Sequence, residues 1–292
     1  MNLTRRRALT LLVYAPLASA CGAHGGVRVG SKNFTESFVI AEIYAQALER
    51  AGLRVERRFN LGSTQIAMAA MRRGDIDLYP EYTGTALIDV LHLPPMQSPQ
   101  ALYATVASEF AKRYGFIWLR PSPMNDSQAL ATTKTIAARE HIATLSDLAP
   151  VASRLRLATI QEFLSRADGL PGLRRVYGGF AFRDVRTYDI ALKYQALLSG
   201  QADIASAFTT DGAIASDDLF VLRDDRHLWP PYNVAPVVRN TTLQNQPRIR
   251  QILDAISPAI TDRAAQRMNA AVESDHRDPA DIAAAFLAGA MH

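Results

Sequence analysis

Apolar and polar residues alternate over Val27-Arg28-Val29-Gly30 and again from Leu53 to Phe59, the period of a strand with one face buried. Between them Phe38, Ile40, Ile43, Ala47 and Leu48 recur near helical spacing, which predicts a helix over 36–50 with a stop at Gly52. A second helix over 64–73 carries Ile66, Met68, Ala69 and Met71, ends at Gly74, and leads into a short strand over 76–79. Strand, helix, strand, helix, strand at this spacing predicts a parallel α/β sheet.

The second half repeats that grammar. Leu155 to Ile160 and Val185 to Thr187 read as strands, 188–198 as a helix stopped by Gly200, and Asp203 to Phe208 as a further strand. The stretch GDIDLYPEYTGTA (74–86) is echoed by ADIASAFTTDGA (202–213): in both, Asp-Ile opens a strand and an aromatic-Thr pair follows its carboxyl end. Ligands of open α/β sheets bind outside those carboxyl ends. The echo therefore predicts two facing lobes, each a mostly parallel sheet flanked by helices. Proline-marked stretches at Pro121-Ser122-Pro123 and Trp229-Pro230-Pro231 mark two hinge crossovers, near 124–128 and 229–234. The expected division is 21–125 with 233–292 in lobe 1 and 126–232 in lobe 2. Closing helices are expected over 248–272 and 279–291, the last capped at Asp278-Pro279.

The first twenty residues differ from the rest. Arg5, Arg6 and Arg7 precede an apolar stretch to Leu17 and the small residues Ala18-Ser19-Ala20, the pattern of a signal peptide over 1–20. The stretch is shorter than the ~20 residues of a membrane-spanning helix. Cys21 is the only cysteine, so the chain has no internal disulfide. Its place after Leu-Ala-Ser-Ala is similar to a bacterial lipobox and makes it a lipidation candidate. Ala-Ser-Ala alone also satisfies an ordinary signal peptidase site. The expected location is the periplasm or cell envelope.

Composition then narrows the function. The 292 residues are 48% hydrophobic and 21% charged, an ordinary globular balance. Removing the three arginines of 1–20 lowers the net charge from +4 to +1 (4 − 3), and no Lys/Arg-dense tract remains for nucleic acid. His24, His92, His141, His227, His276 and His292 lack zinc-ligand spacing, and no G-x-S-x-G elbow or G-x4-G-K-[ST] loop occurs. Asp75, Asp77 and Glu81 read as solvated or capping acids rather than an acid/base cluster. No metal and no cofactor is expected.

Four motifs carry a resemblance: Gly30-Ser31-Lys32-Asn33-Phe34-Thr35-Glu36, Tyr79-Pro80-Glu81-Tyr82-Thr83-Gly84-Thr85, Ser165-Arg166-Ala167-Asp168-Gly169-Leu170-Pro171 and Pro230-Pro231-Tyr232. In this order they are similar to the motifs of ABC-transporter substrate-binding proteins for glycine betaine, carnitine and choline. The resemblance runs from about residue 27 to the C-terminus. It implies a type II periplasmic-binding-protein fold and a trimethylammonium ligand, held by aromatic faces because such a cation donates no N–H bond. It further implies a monomeric receptor that delivers its ligand to a membrane permease driven by a separate ATPase.

By position in those motifs, Tyr82, Phe208 and Tyr232 are the cage rings. Gln128 stands where a fourth ring is usual, and Phe208 where a tyrosine is common. Lys32, Thr85 and Arg166 are the implied partners of a ligand carboxylate, which favours a zwitterion over choline. Read without the resemblance, Lys32 is a solvated loop residue, Arg166 a surface or ion-paired one, and the rings core or turn aromatics. Two other readings stay open. A receptor of the same fold could take another small zwitterion, such as an amino acid or a trimethylated histidine derivative; a two-lobed enzyme is the alternative of a different class.

Overall fold

In the computed structural model the described residues are 25–190, 192–215 and 219–290. The expected signal peptide and Cys21 lie outside them. In chain order the strands are β1 (Val27–Gly30), β2 (Val55–Arg58), β3 (Leu78–Tyr82), β4 (Phe116–Trp118), β5 (Gln128–Thr133), β6 (Arg156–Thr159), β7 (Asp184–Thr187), β8 (Ile204–Phe208), β9 (Leu219–Leu222) and β10 (Val234–Arg239).

They form two mixed five-stranded sheets with one topology, β2-β1-β3-β10-β4 and β7-β6-β8-β5-β9. In the first, β1 runs parallel to β2 and β3, and only β10 runs against its neighbours. In the second, β6 runs parallel to β7 and β8, and only β5 is reversed. The reversed strand of each sheet is the one that has just crossed from the other lobe. The crossovers run side by side, bridged at Asn125 and Asn233, where the hinges were expected.

The helix Thr35–Arg50 buries Ile40, Ile43, Ala47 and Leu48 as its sequence spacing predicts, while Phe38 of that face stays half-buried and Val39 is buried as well. The helix Thr64–Arg73 ends as expected at Gly74, whose φ of 78° is a left-handed stop that favours glycine. Gly200, with φ 74°, plays the same part in the second lobe.

Two boundaries differ from expectation. The third strand begins at Leu78 rather than Ile76 and continues to Tyr82, because β10 pairs with it over Leu78–Tyr82. The helix expected from Tyr188 begins only at Lys193. Tyr188 is instead held in line with β7, its amide donating to Thr159 O at 2.8 Å.

The helix expected over 248–272 is instead two, Arg248–Ile256 and Asp262–Glu273, broken by a turn at Ser257–Ala259 that contains Pro258, and a further helix covers Pro279–Ala290. Asp278 accepts the Ala280 amide at 2.8 Å, the expected cap. The middle helix also touches the second lobe: Gln266 Nε2 donates to Thr209 O at 3.0 Å and Asn269 Nδ2 to Thr210 O at 2.8 Å. A Cβ on Gly212 would stand 2.5 Å from Ala270 N, so only glycine permits this approach.

Candidate functional site

A 630 Å³ cavity lies between the sheets, and all seven residues expected to bind ligand line it: Lys32, Tyr82, Thr85, Gln128, Arg166, Phe208 and Tyr232. Tyr82 closes β3 and Phe208 closes β8, so the two strand ends of the sequence echo bring their rings to one space. Tyr232 comes from the second crossover. Its ring packs on the backbone of Gly84, where an added Cβ would stand 2.6 Å from two ring carbons.

Each ring has a fixed hydroxyl or a charged neighbour. The Tyr82 hydroxyl donates to Glu36 Oε1 at 2.7 Å, and the Tyr232 hydroxyl donates to Asp168 Oδ2. Burial pushes both phenols far above the usual tyrosine range, so both stay neutral donors. Phe208 has no hydroxyl; the Lys193 ammonium lies 5.0 Å from its ring centroid and pairs with Asp211 at 3.0 Å.

The two cations of the cavity wall carry their own counter-charges. Lys32 Nζ donates to Glu81 Oε1 at 2.7 Å and lies 4.6 Å from the Tyr82 centroid and 5.5 Å from that of Phe34. Neither Lys32 nor Glu81 is solvated, contrary to the plainer sequence expectation for both. Glu81 is fully buried and also accepts from Tyr79 Oη and the Tyr82 amide, so its lone pairs are matched. Asp75 does lie exposed beside Arg73, and Asp77 clamps Arg28.

Arg166 grips Asp168 with two parallel bonds, Nε to Oδ1 at 2.9 Å and Nη2 to Oδ2 at 2.8 Å. It also approaches Asp89 of the opposite lobe to 3.8 Å. Burial alone would raise Asp168, but the Arg166 bonds outweigh it and hold the carboxyl below the usual range. Asp168 thus ties a cleft arginine to a cleft ring, and its backbone oxygen accepts Trp229 Nε1 at 2.8 Å from the crossover.

Gln128 opens β5 directly opposite Phe208. Its amide nitrogen is buried beside Tyr232 without an acceptor in bonding geometry. A buried unpaired donor is costly, roughly 1–3 kcal/mol. Phe34, Tyr188 and Asp126 are among the further lining groups that were not foreseen. Asp126 is driven well above the aspartate range by burial, then by the field of Glu36 and Asp211. Phe34 lies inside the first motif, its ring centroid 6.0 Å from that of Tyr82 and tilted by 37°. Tyr188 was hidden by its assignment to a helix.

These aromatic faces and paired charges suit a small organic cation better than a metal; among the described residues no group of three or more His, Cys, Asp or Glu is placed to hold one. A family model described as the substrate binding domain of the ABC-type glycine betaine transport system matches residues 25–289. The chain belongs to that family.

Members of this family are extracytoplasmic binding proteins that work with a permease and an ATPase. The chain is 34% identical over 291 residues to a glycine-betaine-binding protein of Pseudomonas aeruginosa, covering 96% of this chain and 93% of that one. It is 32% identical to an ergothioneine transport permease/ergothioneine binding protein of Helicobacter pylori, covering 89% of this chain and 46% of that longer one. A crystal structure of a glycine betaine/carnitine/choline ABC transporter protein superposes with a TM-score of 0.76 at 30% identity, over 90% of this chain and 98% of that one. Among the described residues no helix is long and apolar enough to cross a membrane.

Proposed function

We propose that this receptor binds a quaternary ammonium compound in the cavity between its lobes and hands it to its permease. The supporting observation is the convergence of Tyr82, Phe208 and Tyr232, from first lobe, second lobe and crossover, on one 630 Å³ space. Ring faces there attract the cation, and Lys32 and Thr85 of the first lobe with Arg166 of the second line the same cavity for a polar end such as the carboxylate of glycine betaine. Lobes divided at 125/126 and 232/233 would close by flexing where Asn125 bridges Asn233, excluding water and strengthening each of these attractions. Cys21 would carry the lipid tether of a monomeric binding protein without catalytic activity.

Calorimetric titration of residues 21–292 with glycine betaine, carnitine and choline tests this reading. Heat with at least one of the three is expected, and silence from all three overturns the ligand class. A second reading has one observation behind it, the 32% relative whose name includes ergothioneine binding. In it Gln128 and Phe208 make room for a trimethylated histidine derivative. A thermal-shift comparison separates the two, because the tighter ligand raises the melting temperature more at equal concentration.

A further inference from the structure

A buried hydrogen-bonded path leads away from the cleft behind Tyr82. The Tyr82 hydroxyl bonds Glu36 Oε1 at 2.7 Å, and Glu36 Oε2 accepts Asn269 Nδ2 at 3.0 Å. The same Asn269 amide group reaches Thr210 O at 2.8 Å, and Thr210 Oγ1 donates to Asp126 Oδ1 at 2.6 Å. The path begins on a ring of the first lobe, crosses the helix Asp262–Glu273, enters the second lobe and ends on a carboxyl that lines the cavity. All five residues are buried. Among the described residues neither Glu36 nor Asp126 has a lysine or arginine within ion-pair distance, so hydrogen-bond donors alone hold Glu36 in place.

We propose that Glu36 is a positioning residue of the binding site, holding the Tyr82 ring by its hydroxyl and tying that ring through Asn269 and Thr210 to the opposite lobe. The inference rests on Tyr82 being a ligand-facing ring, as proposed above. Ring and lobe are then set together. A cation attracted to the Tyr82 face meets a ring whose tilt is fixed when Thr210 is in register, and a ring cut loose from Glu36 must be ordered by the ligand itself.

The charge of Glu36 gives the link a signature. Burial pushes its carboxyl up, its hydrogen bonds pull the other way, and the field of Asp211 adds to the rise. Around it stand the Lys32–Glu81 pair beside Tyr82 and the Lys193–Asp211 pair beside Tyr194. Asp126, Glu273 and His276 face it across a second, 450 Å³ cavity that adjoins the cleft at Phe34 and Phe208. As a carboxylate Glu36 accepts from both Tyr82 and Asn269. Once protonated it carries a donor that needs an acceptor of its own, and one of the two bonds weakens. As acid protonates Glu36, affinity for a permanently charged quaternary cation is therefore expected to fall, a trend to be read between about pH 8 and about pH 5, since the cation also favours the ionised form.

Calorimetry over that pH range, with choline and glycine betaine as probes, compares the native protein with Glu36→Gln, Tyr82→Phe and the double variant. In Glu36→Gln the new amide can still accept from Tyr82 but presents a donor to Asn269, and Tyr82→Phe keeps the ring without the hydroxyl. Each single variant is expected to bind about ten-fold more weakly or worse, with its pH slope flattened, and the double variant no worse than the weaker single. Multiplying losses, or a Tyr82→Phe protein that keeps the native affinity and slope, overturns the proposal. Should Glu36→Gln fail to fold, as its thermal transition will tell, Tyr82→Phe still decides. A native protein silent with both probes and with carnitine overturns the ligand reading and this inference together; native heat with multiplying losses overturns this inference alone.

Discussion

Arg28 and Asp77 are joined three times: the Arg28 amide and Nε each donate to Asp77 Oδ2 at 2.9 Å, and Nη2 donates to Oδ1 at 2.8 Å. In the second lobe Arg156 and Asp203 make the same three bonds, each at 2.9 Å. Both clamps lock the parallel neighbour of a central strand, β1 or β6, to the start of the central strand that carries a cleft ring. One offset of 126 residues relates the acids (203 − 77), the rings (208 − 82) and the left-handed glycines (200 − 74).

The clamps predict stability losses in either lobe. Asp77→Ala and Asp203→Ala are each expected to lower unfolding free energy by about 1–3 kcal/mol in urea titrations, as partly exposed charged hydrogen bonds do. The Arg156 bonds hold the Asp203 carboxyl below its ordinary range. Its contribution is then complete above the unfolded aspartate range and lost as the pH falls through the lower folded value. Asp203→Asn removes that acid limb; an unchanged acid limb would count against the clamp.

The same clamp shows what was legible in the sequence. The two-lobe architecture, the two crossovers and the seven cavity-lining residues could all be read from strand ends and motif order. The register of the echo could not. The repeated phrase aligns Asp75-Ile76 with Asp203-Ile204, whereas the folded chain matches Asp77 to Asp203. A slip of two residues preserves alternation, so a period-two pattern cannot detect it. The bond between Glu36 and Asn269 was invisible for a different reason, since it joins residues 233 apart in the chain. Burial likewise turns Glu81, a solvated acid on paper, into the counter-charge of Lys32.

Gly84 is predicted to be a binding residue without touching ligand. An alanine there meets the Tyr232 ring at 2.6 Å and the Pro231 carbonyl oxygen at 2.9 Å, and the backbone oxygen cannot swing away. Gly84→Ala should displace the ring and weaken ligand binding about ten-fold or more, with a smaller loss of melting temperature. Native affinity in this variant would show that the place of Tyr232 does not matter to the ligand.

Gln128 makes the opposite prediction. Its amide nitrogen lacks an acceptor beside Phe208 and Tyr232, where a ring face would complete the cage. Gln128→Tyr is expected to tighten quaternary ammonium binding by about 5- to 30-fold, the worth of one desolvated cation–π contact. Calorimetry reads the gain directly. Weaker binding in the variant would mean that the ligand uses the amide itself.

Glu273, at the end of the helix that spans the lobes, gives a stability prediction of unusual sign. Burial, and then the field of Asp211, push its carboxyl from 4.5 up to about 7. Between those values the folded protein keeps a proton that the unfolded chain has released, so stability declines as the pH rises through that window and levels off above it. Glu273→Gln should flatten the decline and stabilise the protein by about 1–2 kcal/mol at neutral to alkaline pH, measured as urea midpoints across the range. A slope that survives in Glu273→Gln would place the retained proton on Glu36 or Asp126 instead, since burial raises both. The Glu36→Gln protein would then be the one to lose it.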